Sequence, residues 1–132
     1  MSEQETIDLM NQRFDLNLFL SIYEFNDYDA ENDNYIVEIK NRRDFYDEKM
    51  IECVKLFKNY QNAQLKNKSF LYVVTDKEGI HIFNITKNIS SIVESKIFKT
   101  NQPKTTDFNK NKKIVKYVYF LERKFYTKIS LK

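Results

Sequence analysis

Apolar and polar residues recur along this chain with two periods, and the changes between them divide it into elements. Ser2-Glu3-Gln4-Glu5 fits a helix-opening capping box, a serine with a glutamate three residues on. The helix it predicts carries Ile7, Met10 and Phe14 on one face. From Phe14 the period becomes two: Phe14, Leu16, Leu18, Leu20 and Ile22 alternate with Asp15, Asn17, Phe19, Ser21 and Tyr23. That alternation predicts a strand, with a longer helix as the alternative. Glu31-Asn32-Asp33-Asn34 reads as a turn joining residues 27–30 to residues 35–40 in a hairpin. Pairing Ala30 with Tyr35 sets Asp29 opposite Ile36 and Asp27 opposite Glu38. Asp44 then caps a helix to about Asn67, with a stripe of Tyr46, Met50, Cys53, Val54, Phe57 and Tyr60. Residues 70–75 and 80–85 are β-rich runs joined by Asp76-Lys77-Glu78-Gly79, with the glycine where a hairpin needs positive φ. Residues 86–113 are polar and irregular, with a short helix near 89–97. Residues 113–121 form a last strand, followed by an edge strand or tail to Lys132. The expected class is α/β (α+β): residues 1–132 as a single domain, a central mixed β-sheet flanked by helices.

Composition narrows the function. A hydrophobic fraction of 42% and an aromatic fraction of 15% provide a core and argue against general disorder. One Gly and one Pro exclude Gly-rich phosphate loops and linker-like chains. A single Cys excludes an internal disulfide and fits a reducing, cytoplasmic compartment. One His excludes a metal site built on two imidazoles. The longest apolar runs, residues 70–74 and 117–121, fall far short of the ~20 residues a membrane span needs, so no membrane partner is expected.

The net charge of +3 conceals two poles. Residues 1–40 carry ten acids and two bases, whereas residues 87–132 carry twelve bases and three acids. Carboxylates at one pole suit a cation and lysines at the other suit phosphates, the distribution expected of a metal-dependent enzyme acting on a polyanion; a Lys-rich solvated surface is the plainer reading.

Glu38-Ile39-Lys40 carries the candidate chemistry. Residues two apart on a strand share a face, so Glu38 and Lys40 point one way while Val37 and Ile39 point into a core. The hairpin adds Asp27 and Asp29 to the face of Glu38 and Lys40. Carboxylates with a carbonyl and waters suit Mg²⁺ or Mn²⁺, and a lysine beside them can orient a water or neutralise developing charge. A cross-strand ion pair on a solvated face would use the same residues without chemistry.

Tyr28-Asp29-Ala30, a turn, Ile36-Val37-Glu38-Ile39-Lys40-Asn41-Arg42, a helix and two further strands resemble the PD-(D/E)XK nuclease superfamily, especially its small phage-type members. Glu52-Cys53-Val54-Lys55 resembles a Glu-x-x-Lys on the helix of such proteins, and Pro103-Lys104-Thr105-Thr106-Asp107-Phe108 resembles another of their segments. The resemblance implies a restriction-endonuclease-like fold and Mg²⁺- or Mn²⁺-dependent hydrolysis of DNA. It makes Asp29 and Glu38 metal ligands, with Lys40 beside the attacking water, so that all three are catalytic. Tyr28 stands where the motif has proline, and the first acid is close to Glu38 in sequence, so Asp27 rivals Asp29 for that place.

Several residues have a second reading. Glu52 and Lys55 form an active-site wall or a solvated ion pair. Cys53 reads as a core residue and His81 as a structural one. Glu5 and Asp8 could add a metal ligand from the first helix. Lys110, Lys112, Lys113 and Lys116, with Tyr117 and Tyr119, form a nucleic-acid-binding patch or a charged edge strand. The rival functions are a non-catalytic module on the same fold that binds nucleic acid or protein, and a phage accessory or assembly protein. A homodimer is compatible with any of them.

Overall fold

The computed structural model describes residues 1–21, 27–103 and 113–130. Its first element is α1 (Glu3–Phe14), and the capping box forms: Ser2 Oγ accepts the Glu5 N–H at 3.1 Å, and the Glu5 carboxylate accepts the Ser2 N–H at 3.4 Å. Ile7 and Met10 are fully buried, whereas Phe14 is exposed. The alternating run after α1 yields only β1 (Phe19–Leu20). Asp15 and Asn17 take left-handed backbone angles, with φ near 56° and 55°, which end the helix and prevent an extended run.

Next come β2 (Ala30–Glu31) and β3 (Tyr35–Asn41). They pair two residues out of the expected register, Ala30 with Val37 and Glu31 with Ile36. The turn has the expected length but lies one residue further along the chain, because Asn32 closes it. Its N–H donates to the Tyr35 carbonyl, and its Oδ1 accepts from Asn34 N and Tyr35 N. Asp29 therefore lies opposite Glu38, and the expected pairing of Asp27 with Glu38 does not form.

The long helix expected from Asp44 is also corrected. Residues 49–52 are a strand, β4 (Lys49–Glu52), and the helix α2 runs only over Cys53–Leu65. Its buried positions are Leu56, Asn59 and Ala63; Tyr46, Val54 and Phe57, assigned to the stripe, are exposed. Cys53 is half-buried against the core, as its core reading implies. Then come β5 (Ser69–Asp76), β6 (Gly79–Asn84), α3 (Ile89–Val93), β7 (Phe98–Pro103), β8 (Lys113–Leu121), a 3-10 turn over Arg123–Phe125 and β9 (Tyr126–Ser130). Gly79 has the positive φ, +144°, that its place in the β5–β6 hairpin predicts.

The strands make a six-stranded mixed sheet in the order β1-β2-β3-β5-β6-β9 and a small antiparallel sheet β4-β8-β7. Only β3 and β5 pair in parallel within the large sheet, and β4 and α2 form the crossover between them. Two cores lie on its faces. Ile7 and Met10 from α1 pack against Val37, Ile39, Leu71, Val73 and Ile80 on one side. Leu56 and Ala63 from α2, with Ile51, Tyr119 and Leu121 from the small sheet, pack against Ile36, Tyr72 and Phe83 on the other. The architecture is mixed α and β with a central mixed sheet. No helix among the described residues is long and apolar enough to cross a membrane.

Candidate functional site

Alternation along β3 sorts its side chains as expected: Val37 and Ile39 are buried against the α1 side, and Glu38 and Lys40 share the face that α2 covers. That face is not a solvated one. Glu38 is 7% exposed, lying where α2 brings Lys55 Nζ to 3.6 Å from its Oε1. Burial pushes the Glu38 carboxyl up to about 7, and the carboxylate of Asp29 pushes in the same direction, against Lys55 and Lys40.

Asp29 reaches this place because β2 ends as β3 continues. Its N–H donates to the Val37 carbonyl at 2.8 Å, and its Oδ2 accepts the Ile39 N–H at 2.7 Å. The carboxylate thus replaces the strand partner that Ile39 lacks, and it is held beside Glu38 as a result.

Contacts on both sides of Asp29 strap this segment to α2 and the residues after it. Lys58 pairs with Asp27 at 3.0 Å, Lys66 donates to the Tyr28 hydroxyl, and Lys68 approaches Glu31 at 3.6 Å. Asp27, the rival first acid, is turned toward Lys58, and Asp29 is the acid adjacent to Glu38. The tyrosine standing in the motif's proline position is 6% exposed and serves as the partner of Lys66.

Glu3, in the first turn of α1, was not singled out in the sequence. Burial raises its carboxyl pKa, and the charge of Asp29 raises it further. Its signal is the acidic first turn of α1, which Glu3 shares with Glu5. Glu5 is used in the capping box and Asp8 accepts the Gln4 amide at 2.9 Å.

Among the described residues no three of His, Cys, Asp or Glu are grouped so as to hold a metal ion. The site offers two adjacent carboxylates, a number that suits Mg²⁺ or Mn²⁺ completed by water and a substrate phosphate. The Asp29 charge helps to raise the Glu38 carboxyl, a repulsion that a divalent cation would relieve.

The remaining candidates divide. Lys55 joins Glu38, whereas Glu52 turns to Lys116, whose Nζ lies 2.9 Å from its Oε1. Lys116, expected in the basic patch, is thereby the ion-pair partner of Glu52. Lys113 opens β8; Lys110 and Lys112, with residues 104–108 of the resembling segment, lie outside the described residues. His81 is fully buried, with Nδ1 3.1 Å from the Val74 carbonyl and 3.6 Å from Asp76, which fits its structural reading. No family model matches this chain, and no curated protein or solved structure does either.

Proposed function

We propose that this chain is a small metal-dependent endonuclease-like domain of the PD-(D/E)XK type, acting on DNA. The observation that carries the reading is the opposition of Asp29 and Glu38 across the β2–β3 hairpin, with Lys40 on the face of Glu38. The succession of hairpin, helix, parallel strand and antiparallel strand around that pair is the one the resemblance implies, and it supports a restriction-endonuclease-like fold.

In this reading Asp29 and Glu38 hold Mg²⁺ or Mn²⁺, which would supply Lewis-acid activation of water and neutralise charge on the scissile phosphate. Glu38 contributes a carboxyl group poised to release its proton near neutral pH, so cation binding and proton release are linked. Lys40 supplies a positive charge on the same face that would offset the negative charge developing at a pentacoordinate phosphorus. Lys55 balances Glu38 before substrate arrives and, at 43% exposure, remains accessible to a phosphate oxygen.

A second reading is favoured by one observation: both carboxylates are already engaged, Asp29 by the Ile39 N–H and Glu38 by Lys55. The same fold would then bind nucleic acid or protein without hydrolysis. Thermal melting in a Mn²⁺ titration, run beside plasmid cleavage, separates the two. The nuclease reading expects Mn²⁺ to raise the melting temperature and support cleavage, and Glu38→Ala to abolish both effects. DNA binding with no metal-linked stabilisation and no cleavage assigns the module.

A further inference from the structure

Beyond Lys40, the same strand leads into a cleft of about 350 Å³ at the C-terminal end of the parallel pair β3–β5. Val74, the register partner of Lys40, contributes to its lining, and Arg42 stands two residues along from Lys40, roughly 7 Å at the rise of a strand. The Tyr72 hydroxyl donates to the carbonyl of Met50, which lines the cleft, at 2.8 Å, and Tyr72 is the register partner of Glu38. The cleft therefore adjoins the carboxylate site.

Its volume falls within the range of small-ligand pockets, roughly 300–1,000 Å³. Tyr46 and Phe120 supply aromatic surface, and the Tyr46 side chain is 63% exposed, open to a flat ligand. Its charges disfavour a phosphate: Asp44, Glu48 and Asp76 outnumber Arg42 and Lys49. Lys49 is further neutralised by Asp76, at 3.0 Å with both side chains buried. Both Asp76 oxygens have partners, Oδ1 from Glu78 N–H and Oδ2 from Lys49, which leaves Glu48, and Asp44 beside its exposed partner Arg43 at 3.7 Å, as acceptors for a ligand's amino group.

We propose that this cleft receives an unpaired nucleobase of the nucleotide adjoining the phosphate bound at Asp29, Glu38 and Lys40. The inference rests on the proposed function and narrows its substrate to DNA with an unpaired base beside the cut. Aromatic stacking supplies affinity for the base, and the acidic rim selects bases with an exocyclic amino group over thymine.

The test is equilibrium binding, with Ca²⁺ in place of Mg²⁺ to suppress hydrolysis. The probes are a short DNA duplex carrying one unpaired cytosine and the same duplex fully paired. Wild type should bind the first about tenfold more tightly, a stacking-sized preference. Tyr46→Ala should bind both at the paired-duplex level; the backbone carbonyl that Tyr46 offers to Lys49 is kept in this variant. Replacing the unpaired cytosine by thymine should reduce the wild-type preference. Equal affinity of wild type for paired and unpaired duplexes overturns the base pocket alone. A preference unchanged in Tyr46→Ala overturns it as well. Failure to bind either duplex removes the proposed function together with the pocket.

Discussion

Asp29 and Glu38 stand opposite one another across β2 and β3, with the Asp29 carboxylate also holding the Ile39 N–H at 2.7 Å. The acid that closes the backbone ladder is thus the acid that crowds the buried glutamate. Asp29→Asn keeps a side-chain oxygen for Ile39 and removes the charge, so it should abolish cleavage while leaving the fold intact. Asp27→Asn should lose only an exposed ion pair with Lys58, worth ~0–1 kcal/mol, and retain activity. Plasmid cleavage with Mn²⁺ by the two variants checks the assignment; an inactive Asp27 variant beside an active Asp29 variant reverses it.

Glu38 makes metal-free stability depend on pH. Its folded pKa, about 7, lies above its ordinary value of 4.5, so folding favours the protonated form. The stabilisation is complete below the ordinary value and is lost as pH rises through about 7. The shift corresponds to about 3 kcal/mol at most. Urea unfolding of the metal-free protein across this window should show the decline, and Glu38→Gln should flatten it. A wild-type profile equally flat would show that Glu38 is ionised throughout.

Lys40 and Ile39 are sequence neighbours with opposite expected consequences. Ile39→Ala opens space in the core beneath α1 and should cost about 2–5 kcal/mol. Lys40→Met keeps the aliphatic stem and should leave the melting temperature within a few degrees of wild type while cleavage falls sharply and DNA binding persists. Melting curves and cleavage rates on the same preparations decide it. Activity that merely tracks the folded fraction would make Lys40 a structural residue.

Lys49 and Asp76 form a buried pair between the small sheet and the end of β5. Lys49→Met leaves Asp76 buried beside His81, whose protonation burial opposes, and should destabilise by about 3–5 kcal/mol. Lys49→Met combined with Asp76→Leu removes both charges and should recover part of that loss, less the Glu78 N–H contact that Asp76 makes. Denaturant unfolding of the two single variants and the double variant measures the coupling.

Where the sequence was legible, the deciding signals were local. The capping box, the Asn32 turn and the Gly79 hairpin each depend on residues within a few positions of one another. The register of β2 on β3 was not legible, because a slip of two residues leaves every side chain on its own face. The pattern could place Asp27, Asp29 and Glu38 on one face without choosing which acid meets Glu38. β4 was hidden for another reason. Met50, Cys53, Val54 and Phe57 also fit a helical period, and of the two inward-facing residues that mark the strand, Lys49 and Ile51, the first is a lysine whose burial makes sense only with Asp76. The raised carboxyl of Glu3 comes from burial and from Asp29, neither of which a local pattern reveals.

Gly79 does more than turn a hairpin. It pairs with Ser130, and a Cβ at this position would collide with the Ile129 carbonyl oxygen, so any side chain there drives β9 away from β6. The chain's only glycine therefore guards a seam. With β9 peeled off, the Ile80–Ile82 segment of β6 would expose unpaired backbone on an apolar strand, an invitation to strand addition from another molecule. Solubility would then fail through a position remote from the carboxylates, with Asp29 and Glu38 still facing one another.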